Sequence, residues 1–250
     1  MTHFNSPSGL DSLPCYKVTI ENNNVRVRAR RSDLEANKRV KPMVKQNTRE
    51  AQSIVVIGGG PAGATCVEAL RQEGYTGRLT LVAKENYLPY ARVIVSKLMN
   101  IEIEKAQFRD DKFYKEYNID VLKGTEATGV NTSTNTVTLS NGNTLQYDKL
   151  FIATGCKARK LNIPGADLKN VIVLRDYEHA VYTSSQLAED KEVVVQGSSF
   201  IALEAANYCL DKVKKVTVVQ RDTLPFRVSL GEDVGAAFMK LFKDKGAFYQ

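Results

Sequence analysis

Three glycines, Gly58, Gly60 and Gly63, stand in the spacing Gly-x-Gly-x-x-Gly, with Pro61 and Ala62 between the last two. In a strand–turn–helix context the first glycine permits a tight turn and the second lets the backbone approach a pyrophosphate. The third lets the helix pack against the strand. The helix then presents free N–H groups and its positive dipole end to phosphate. The spacing therefore predicts a dinucleotide site, with a purely structural glycine turn as the alternative.

The flanking segments supply the context that this motif requires. Residues 54–57 form a β-branched run that predicts a strand, and residues 64–71 predict a helix. Residues 78–83 predict the second strand of the unit, after which an acidic residue would hold the ribose hydroxyls. Lys84 comes first there and Glu85 second, so we predict Glu85 as the ribose partner, with a surface charge as the alternative.

The same pattern recurs about 140 residues later, where a β-branched strand leads into Gly197, Ser199 and Ala202. Alanine is accepted at the third position of the motif. The hydroxyl of Ser199 either hinders a pyrophosphate or donates a hydrogen bond to it. Gln220 takes the place of the acidic ribose partner and Arg221 comes next, which leaves the choice between NADH and NADPH open. A structural βαβ unit without a ligand is the alternative.

Between the two turns the sequence predicts further elements. Residues 119–122 predict a short strand, and the turn 140–143 predicts a hairpin. An apolar strand over 147–155 ends in Thr154 and Gly155, where the backbone can approach a ligand closely. Helices are predicted over 108–117 and around Ser96 and Lys97.

Residues 1–50 predict a hairpin and a connector rather than a complete domain. Residues 16–20 and 25–29 alternate as strands do, around three asparagines that form a turn. Basic residues crowd the stretch 26–49, but no aromatic residues interleave with them and no nucleic-acid motif is present. A solvated linker is therefore favoured over a surface for nucleic acid or acidic lipid.

Composition limits the class of protein. The 250 residues are 43% hydrophobic and 25% charged, with a net charge of +7, which predicts one or two globular domains. No apolar run could span a bilayer and residues 1–14 lack a signal-peptide core, so we expect an intracellular protein. The cysteines lie far apart, which predicts neither disulfides nor zinc, and Cys66 and Cys209 are predicted to be small core residues. The four are Cys15, Cys66, Cys156 and Cys209.

Several motifs together resemble one family. Residues 88–92, Leu-Pro-Tyr-Ala-Arg, followed by Ser96 and Lys97, resemble the LPYDRPxLSK signature of the apoptosis-inducing-factor and ferredoxin-reductase group. Residues 200–204 resemble the FIGxE segment of that group. Residues 9–13 and 224–231 are similar to its Rieske-bearing, apoptosis-inducing-factor-3-like branch. The resemblance implies an α/β flavoprotein with two Rossmann-like dinucleotide-binding domains, incomplete in this chain, after an N-terminal β-hairpin remnant.

The implied activity is an FAD-dependent oxidoreductase that takes hydride from NAD(P)H and passes electrons to an acceptor. FAD would be held by the first turn and by residues around it, namely Gly58, Gly60, Pro61, Ala62, Gly63, Glu85, Arg92, Lys97, Thr154 and Gly155. NAD(P)H would be held by the second turn and the residues after it, namely Gly197, Ser199, Ala202, Glu204 and Gln220. Lys97 and Glu204 are the implied catalytic residues, and they would pair; a surface lysine is the alternative for Lys97.

The resemblance also implies three domains. Residues 1–50 would be a remnant of a Rieske-type domain with a basic linker, 51–175 the first segment of the FAD domain, and 176–250 an incomplete NAD(P)H domain. The family continues with C-terminal parts that this chain lacks, so we expect the middle of a longer protein, located in the cytoplasm or in mitochondria.

This sequence departs from the family pattern at several positions. Ala91 replaces an aspartate and Val93 a proline of the signature, and neither His3 nor His179 has the spacing of a Rieske cluster. No metal site, nucleic-acid partner or membrane span is predicted. The sequence does not name the electron acceptor, for which a Rieske or other iron–sulfur centre outside this chain is one candidate. The alternative function is a catalytically impaired nucleotide-binding or interaction fragment, favoured by Ser199, Ala91 and the missing C-terminal parts.

Overall fold

A computed structural model describes residues 16–31, 41–47 and 49–249. The predictions for Cys15, His3 and residues 9–13, and part of the basic connector, lie outside the described residues. The described chain forms two compact units. The first unit comprises the residues up to Ala91 with Gln107–Gly155, and the second comprises Arg92–Ala106 with the residues from Cys156 onward. The functional boundary predicted at residue 175 stays a prediction.

Strands and helices alternate around each glycine turn, whereas residues 119–152 form strands joined by turns. The strands are β1 (Lys17–Glu21), β2 (Asn24–Arg28), β3 (Ser53–Ile57), β4 (Arg78–Val82), β5 (Ile119–Leu122), β6 (Ala127–Asn131), β7 (Thr136–Leu139), β8 (Thr144–Gln146), β9 (Lys149–Ile152), β10 (Glu192–Gln196), β11 (Lys215–Val219) and β12 (Ala247–Tyr249). The helices are α1 (Pro61–Gln72), α2 (Ile103–Ala106), α3 (Asp111–Glu116), α4 (Tyr177–Ser185), α5 (Phe200–Cys209), α6 (Arg227–Leu230) and α7 (Glu232–Asp244).

The predicted N-terminal hairpin is confirmed as β1 paired antiparallel with β2. Asn22 and Asn23 link the strands with φ angles of 49° and 61°. Two successive positive φ angles give the turn whose twist matches that of the flanking strands, and asparagine tolerates this conformation better than most residues do. The turn chemistry thus accounts for a hairpin in a segment with few other structural signals.

A parallel sheet in the order β5-β4-β3-β9 forms the centre of the first unit. This order, with α1 between β3 and β4, is that of a Rossmann half. Alternate residues of β3 point to opposite faces. Ile54 and Val56 pack in a core cluster with Val67 of α1, while Val55 and Ile57 pack on the side of the antiparallel sheet β6-β7-β8. Burial on both faces explains the unbroken apolar run of β3.

Helix α1 begins and ends at residues suited to those positions. Gly60 is its N-cap residue and Pro61 occupies the first helical turn, where a missing N–H costs no intrahelical hydrogen bond. Gly74, just beyond the C-cap, has a φ of 90°, a conformation that glycine adopts without strain. Buried positions recur every three or four residues, so one stripe of the helix faces the sheet.

Arg71, in the last turn of α1, is fully buried at 0% exposure. Its guanidinium donates hydrogen bonds to four backbone carbonyls: Tyr75 at 2.5 Å, Asn118 at 2.8 Å, Tyr117 at 2.9 Å and Gly77 at 3.0 Å. Burial lowers the pKa of this group. The four acceptors offset the cost of burying the charge, and they join the end of α1 to the loop before β4 and to the end of α3.

The second unit is built on the parallel sheet β10-β11-β12 with α5 between β10 and β11. Phe226, which precedes α6, has a φ of 55°. Its ring lies 4.8 Å from the ring of Phe200 and 4.9 Å from that of Phe238, centroid to centroid. These aromatic contacts hold the left-handed backbone conformation that turns the chain into α6.

The helix predicted around Ser96 and Lys97 is wrong. The structure has a short 3₁₀ helix over Arg92–Ile94, followed by turns. Three consecutive β-branched residues, 93–95, explain the difference because their side chains lose rotamer freedom in an α-helix. The helix predicted over 108–117 is shorter, since the Asp110 side chain accepts a hydrogen bond from the Phe113 N–H and starts α3 at residue 111.

None of the helices in the described ranges has both the length and the apolar character that crossing a membrane requires. Within the same ranges no three His, Cys, Asp or Glu side chains are grouped so that they could hold a metal ion.

Replacing Arg71 by Ala is expected to destabilise the protein by about 3–5 kcal/mol, because four carbonyls, one buried and three partly buried, lose their donors. Arg71→Lys should recover part of this loss, since an ammonium has fewer donors and no planar fork. Urea denaturation followed by circular dichroism measures both. Arg78→Ala, at the exposed start of β4, is the control and should cost less than about 1 kcal/mol. Equal effects at the two positions would contradict the role of Arg71.

Candidate functional site

Close backbone packing defines the first glycine turn. Gly58 has a φ of 120°, and its N–H donates to the Val82 carbonyl at 2.8 Å. A Cβ on Gly58 would collide with the Ala153 carbonyl oxygen, and a Cβ on Gly63 would collide with the Gly58 carbonyl oxygen. The backbone nitrogen of Thr154 is 3.1 Å from that same Cβ position on Gly58. The structure thus brings the predicted Gly58, Gly63 and Thr154 together at one edge of the sheet.

The start of α1 offers backbone donors at this edge. No side chain caps the helix at Gly60, and Pro61 has no N–H to contribute. The N–H groups of the first turn that lack an intrahelical partner, those of Ala62 and Gly63, are therefore the groups a phosphate would meet. A glycine N-cap leaves their approach unobstructed by a side chain. This donor set fits the pyrophosphate of a dinucleotide.

Glu85 and Lys84 differ in their surroundings after β4. The side chain of Lys84 is exposed, and its Nζ is 2.9 Å from Glu126 Oε1. Glu85 is half-buried, and its Oε2 accepts a hydrogen bond of 2.6 Å from the hydroxyl of Tyr90. Tyr90 is itself buried, so it fixes the carboxylate in place. Of the two residues, Glu85 is therefore the one with a carboxylate held in a fixed position. Its role as ribose partner stays a prediction.

The second turn repeats the backbone pattern of the first. Gly197 has a φ of 100°, and its N–H donates to the Val219 carbonyl at 2.8 Å, as that of Gly58 does to Val82. Ser199 is the N-cap residue of α5, and its side chain makes no capping hydrogen bond. The Cβ of Ala202 lies 3.7 Å from where a Cβ on Gly197 would stand, an ordinary contact. This turn therefore accommodates an alanine at its third position.

A cleft of about 760 Å³ opens beside the second turn. It is lined by Gly197 and Ser199 of the turn, by Gln220 and Arg221 after β11, and by Arg227 of α6. The Gln220 Oε1 atom is buried and has no hydrogen-bond partner in the described part of the chain. Ligands of parallel α/β sheets bind at the carboxyl ends of the strands, which is where this cleft lies.

Glu204 is held at both carboxylate oxygens by neighbouring residues 96 and 97. Lys97 Nζ lies 2.6 Å from Oε1, and the Ser96 hydroxyl donates to Oε2 at 2.5 Å. Ser96 is buried, while the side chains of Lys97 and Glu204 are 43% and 29% exposed. Charge-assisted bonds this short are among the stronger hydrogen bonds in proteins. The predicted pairing of Lys97 with Glu204 is therefore present, within the second unit.

The remaining predicted site residues lie at the ends of short elements. Arg92 is half-buried in the 3₁₀ helix, and Gly155 comes after β9 with a φ of 70°. Ala91 is buried and Val93 is 64% exposed. An alanine has no carboxylate and a valine has no proline ring, so neither supplies the group that the family signature has there. Sequence reasoning missed Ser96 and Tyr90 as partners of the two carboxylates. Their only signal was their presence in the signature motif.

Three cysteines are described, and all are free thiols. Burial raises the pKa of the Cys66 thiol and that of Cys209, the latter partly offset by Lys212. Cys209 is buried and Cys66 is half-buried, in agreement with their prediction as core residues, whereas Cys156 is exposed.

Comparison with known proteins identifies relatives for most of this chain. A family model described as pyridine nucleotide-disulphide oxidoreductase matches residues 52–247. Apoptosis-inducing factor 3 of Homo sapiens is 36% identical over 241 residues, which are 94% of this chain and 40% of that protein. The ferredoxin–NAD(+) reductase subunit of the benzene 1,2-dioxygenase system of Pseudomonas putida is 33% identical over 199 residues, 78% of this chain and 48% of that protein.

A solved structure agrees with these relatives. The ferredoxin reductase for the CYP199A2 system of Rhodopseudomonas palustris superposes with a TM-score of 0.75 at 26% identity, over 80% of this chain and 50% of that one. The chain thus spans less than half the length of the two curated relatives and half of this structure.

Replacing Gly58 by Ala is expected to destabilise the protein by about 2 kcal/mol more than Gly142→Ala. Both glycines have a positive φ, but a Cβ at Gly142 meets nothing within 4 Å, so the control isolates the cost of the backbone angle from the collision with Ala153. Chemical denaturation of both variants measures the difference. Equal losses in the free energy of unfolding would show that the collision with the Ala153 carbonyl adds nothing to the cost of a Cβ at Gly58.

Cys156 is expected to react with a thiol reagent at pH 8 at least about tenfold faster than Cys66 or Cys209. Burial raises the pKa of the Cys66 and Cys209 thiols, which lowers the fraction present as reactive thiolate, and it also limits access of the reagent. The measurement is labelling with time, mapped by mass spectrometry, in a Cys15→Ser background. Unfolded protein, in which all three should react alike, is the control. Labelling of Cys209 as fast as Cys156 in the folded protein would contradict this assignment.

Proposed function

Because this chain belongs to the pyridine nucleotide-disulphide oxidoreductase family, we propose that it is the nucleotide-binding part of an NAD(P)H-dependent flavoprotein oxidoreductase. FAD would be held by the first unit and NAD(P)H by the second. When bound, FAD takes up hydride from NAD(P)H and releases electrons singly to an acceptor. The observation that carries this proposal is the repetition of one strand, glycine turn and helix in both units, with the same 2.8 Å hydrogen bond.

The first unit has the features that an FAD pyrophosphate and ribose need. The N–H groups of Ala62 and Gly63 would donate to phosphate oxygens at the start of α1. Glu85, fixed by the Tyr90 hydroxyl, would accept from the ribose hydroxyls. Thr154 and Gly155 would contact the cofactor through backbone atoms, since they come after β9 beside Gly58.

The second unit has the corresponding features for NAD(P)H. The Gly197 turn and the N-terminus of α5 would hold the pyrophosphate. Ser199 makes no capping bond, so its hydroxyl would serve as a further phosphate donor. Ala202 leaves the helix close to the turn, and Gln220 would meet the adenosine ribose in the adjoining cleft.

We propose that Lys97 and Glu204 act together as the catalytic residues, with Arg92 as a further cation near the flavin. A lysine ammonium beside the flavin would stabilise the negative charge that reduction places on the ring. Glu204 would hold that ammonium in one position, and Ser96 would hold Glu204. The three residues form one hydrogen-bonded chain, so a change at any of them should alter the electrostatics that Lys97 provides.

The proposed acceptor is a small iron–sulfur protein or domain, of the ferredoxin or Rieske class, outside this chain. The Pseudomonas relative is by name a ferredoxin–NAD(+) reductase, and iron–sulfur centres accept single electrons. The proposal places the protein inside the cell, in the cytoplasm or in mitochondria, where NAD(P)H is supplied. The alternative, an impaired fragment that binds a nucleotide without catalysis, is favoured by Ser199 at the second turn.

The visible spectrum of the purified chain tests the proposal. Flavin absorption that bleaches when NADH or NADPH is added without oxygen is expected. Protein that stays colourless after reconstitution with FAD, yet binds NAD(P)H by calorimetry, would replace catalysis with the alternative. A chain that binds neither cofactor would overturn both functions.

Replacing Lys97 by Met is expected to slow flavin bleaching at least about tenfold and to make the flavin midpoint potential more negative, because the cation that stabilises the reduced ring is lost. Glu204→Gln should slow bleaching less. Stopped-flow absorbance and a redox titration measure the two effects. Lys105→Met is the matched control, since Lys105 also pairs with a glutamate, Glu102, at 2.8 Å on the same unit. An unchanged potential in Lys97→Met would contradict its position near the flavin.

A further inference from the structure

The residues immediately after β11 lack the carboxylate that would select an unphosphorylated ribose. A carboxylate at the position of Gln220 would accept hydrogen bonds from both ribose hydroxyls and would repel a 2′-phosphate. Gln220 carries no charge, so this repulsion is absent. Its Oε1 is buried without a partner among the described residues, and its amide nitrogen adds two donors that a carboxylate lacks. The amide nitrogen can thus donate to a phosphate oxygen, which a carboxylate at this position could not do.

Arg221 is available to a ligand of the cleft. Its side chain is 92% exposed, and its NH2 atom is 3.8 Å from Asp222 Oδ2, beyond hydrogen-bonding distance. An exposed pair of this length contributes little to stability, so the guanidinium can leave it at small cost. Arginine binds phosphate in a bidentate manner, which suits a terminal monoester better than a bridging phosphate.

Arg227 adds a second guanidinium to the lining of the same cleft. Its Nε donates to Glu232 Oε1 at 3.2 Å, which uses one of its five donors and orients the group. Among the residues that line the cleft, Asp222 supplies the carboxylate that opposes the two arginines. Since Glu232 offsets the charge of Arg227, the exposed guanidinium of Arg221 is the main attraction for an anionic group beside Gln220.

We infer that the second unit takes a nicotinamide dinucleotide with a 2′-phosphate, NADPH rather than NADH, and that Arg221 is its main specificity-determining residue. The inference rests on the proposed function, since it requires that this cleft bind the adenosine end of NAD(P)H. It adds the choice of nucleotide, which the sequence pattern left open. Gln220 removes the discrimination against phosphate, and Arg221 supplies the attraction.

Calorimetric titration of the full chain with adenosine 2′,5′-bisphosphate and with 5′-AMP tests this inference. The bisphosphate is expected to bind at least about tenfold more tightly, a difference that a single arginine–phosphate contact supplies. Adenosine 3′,5′-bisphosphate has the same charge in another position and should lack most of this advantage. NADPH and NADH should differ by a similar factor.

Variants assign the effect to particular residues. Arg221→Ala should remove most of the bisphosphate advantage while changing 5′-AMP affinity less than about twofold, and Gln220→Glu should weaken the bisphosphate by repulsion. Lys240→Ala, an exposed cation of α7 paired with Asp244, is the control for general charge and should leave the advantage intact.

The outcomes separate the two proposals. Equal affinity for the bisphosphate and 5′-AMP, or tighter NADH than NADPH, would overturn the inference while leaving a nucleotide site in place. An advantage that survives Arg221→Ala would overturn the role of Arg221. Failure of every adenosine ligand to bind would overturn the proposed nucleotide site and this inference with it.

Discussion

The absence of room for any side chain at Gly58 and Gly63 is the constraint on which the first unit depends. The carbonyl of Ala153 occupies the space beside Gly58, and the carbonyl of Gly58 occupies the space beside Gly63. Two glycines therefore let β3, the start of α1 and the end of β9 converge at contact distance. The same convergence collects the donors of the helix start and the backbone of Thr154 at one point. The same two glycines thus permit both the packing of this turn and the approach of a ligand, so a substitution at either glycine affects both.

The two turns share a backbone but not a chemistry. Each first glycine donates to the last residue of the next parallel strand at 2.8 Å, so the frame that places a helix start beside a strand end is the same. The first turn excludes a Cβ at Gly58 and Gly63, whereas the second admits Ala202 and places Ser199 at the helix start. The residues after the second strand of each unit differ more: a fixed carboxylate at Glu85, but a neutral amide and an arginine in the second unit. The two units therefore share one backbone arrangement but differ in the few side chains that would contact the ribose end of a nucleotide.

Local spacing made the glycine turns, the strands before them and both hairpins predictable, because each depends on residues within one turn or strand. The pairing of Lys97 with Glu204 spans 107 residues and came only from the resemblance, since no local pattern specifies it. The Tyr90, Ser96 and Arg71 contacts were not predicted because each depends on where the fold places a carboxylate or carbonyl that no short motif includes. The helix predicted around Ser96 is wrong for a local reason, since the low helix propensity of the β-branched run before it outweighs the pattern of the motif.

The buried guanidinium at the end of α1 also bears on how the first unit opens. Two of its acceptors lie four and six residues away, but the other two, Tyr117 and Asn118, lie 46 and 47 residues away. Because the Arg71 side chain itself is fully buried, its guanidinium cannot release one of these acceptors cheaply. The end of α1, the loop before β4 and the chain entering β5 should therefore open as one cooperative segment, with amide protons that exchange at a common rate. The start of the edge strand β5 is thereby held in two ways, by its ladder with β4 and by a side chain of α1 bound to the two residues before it.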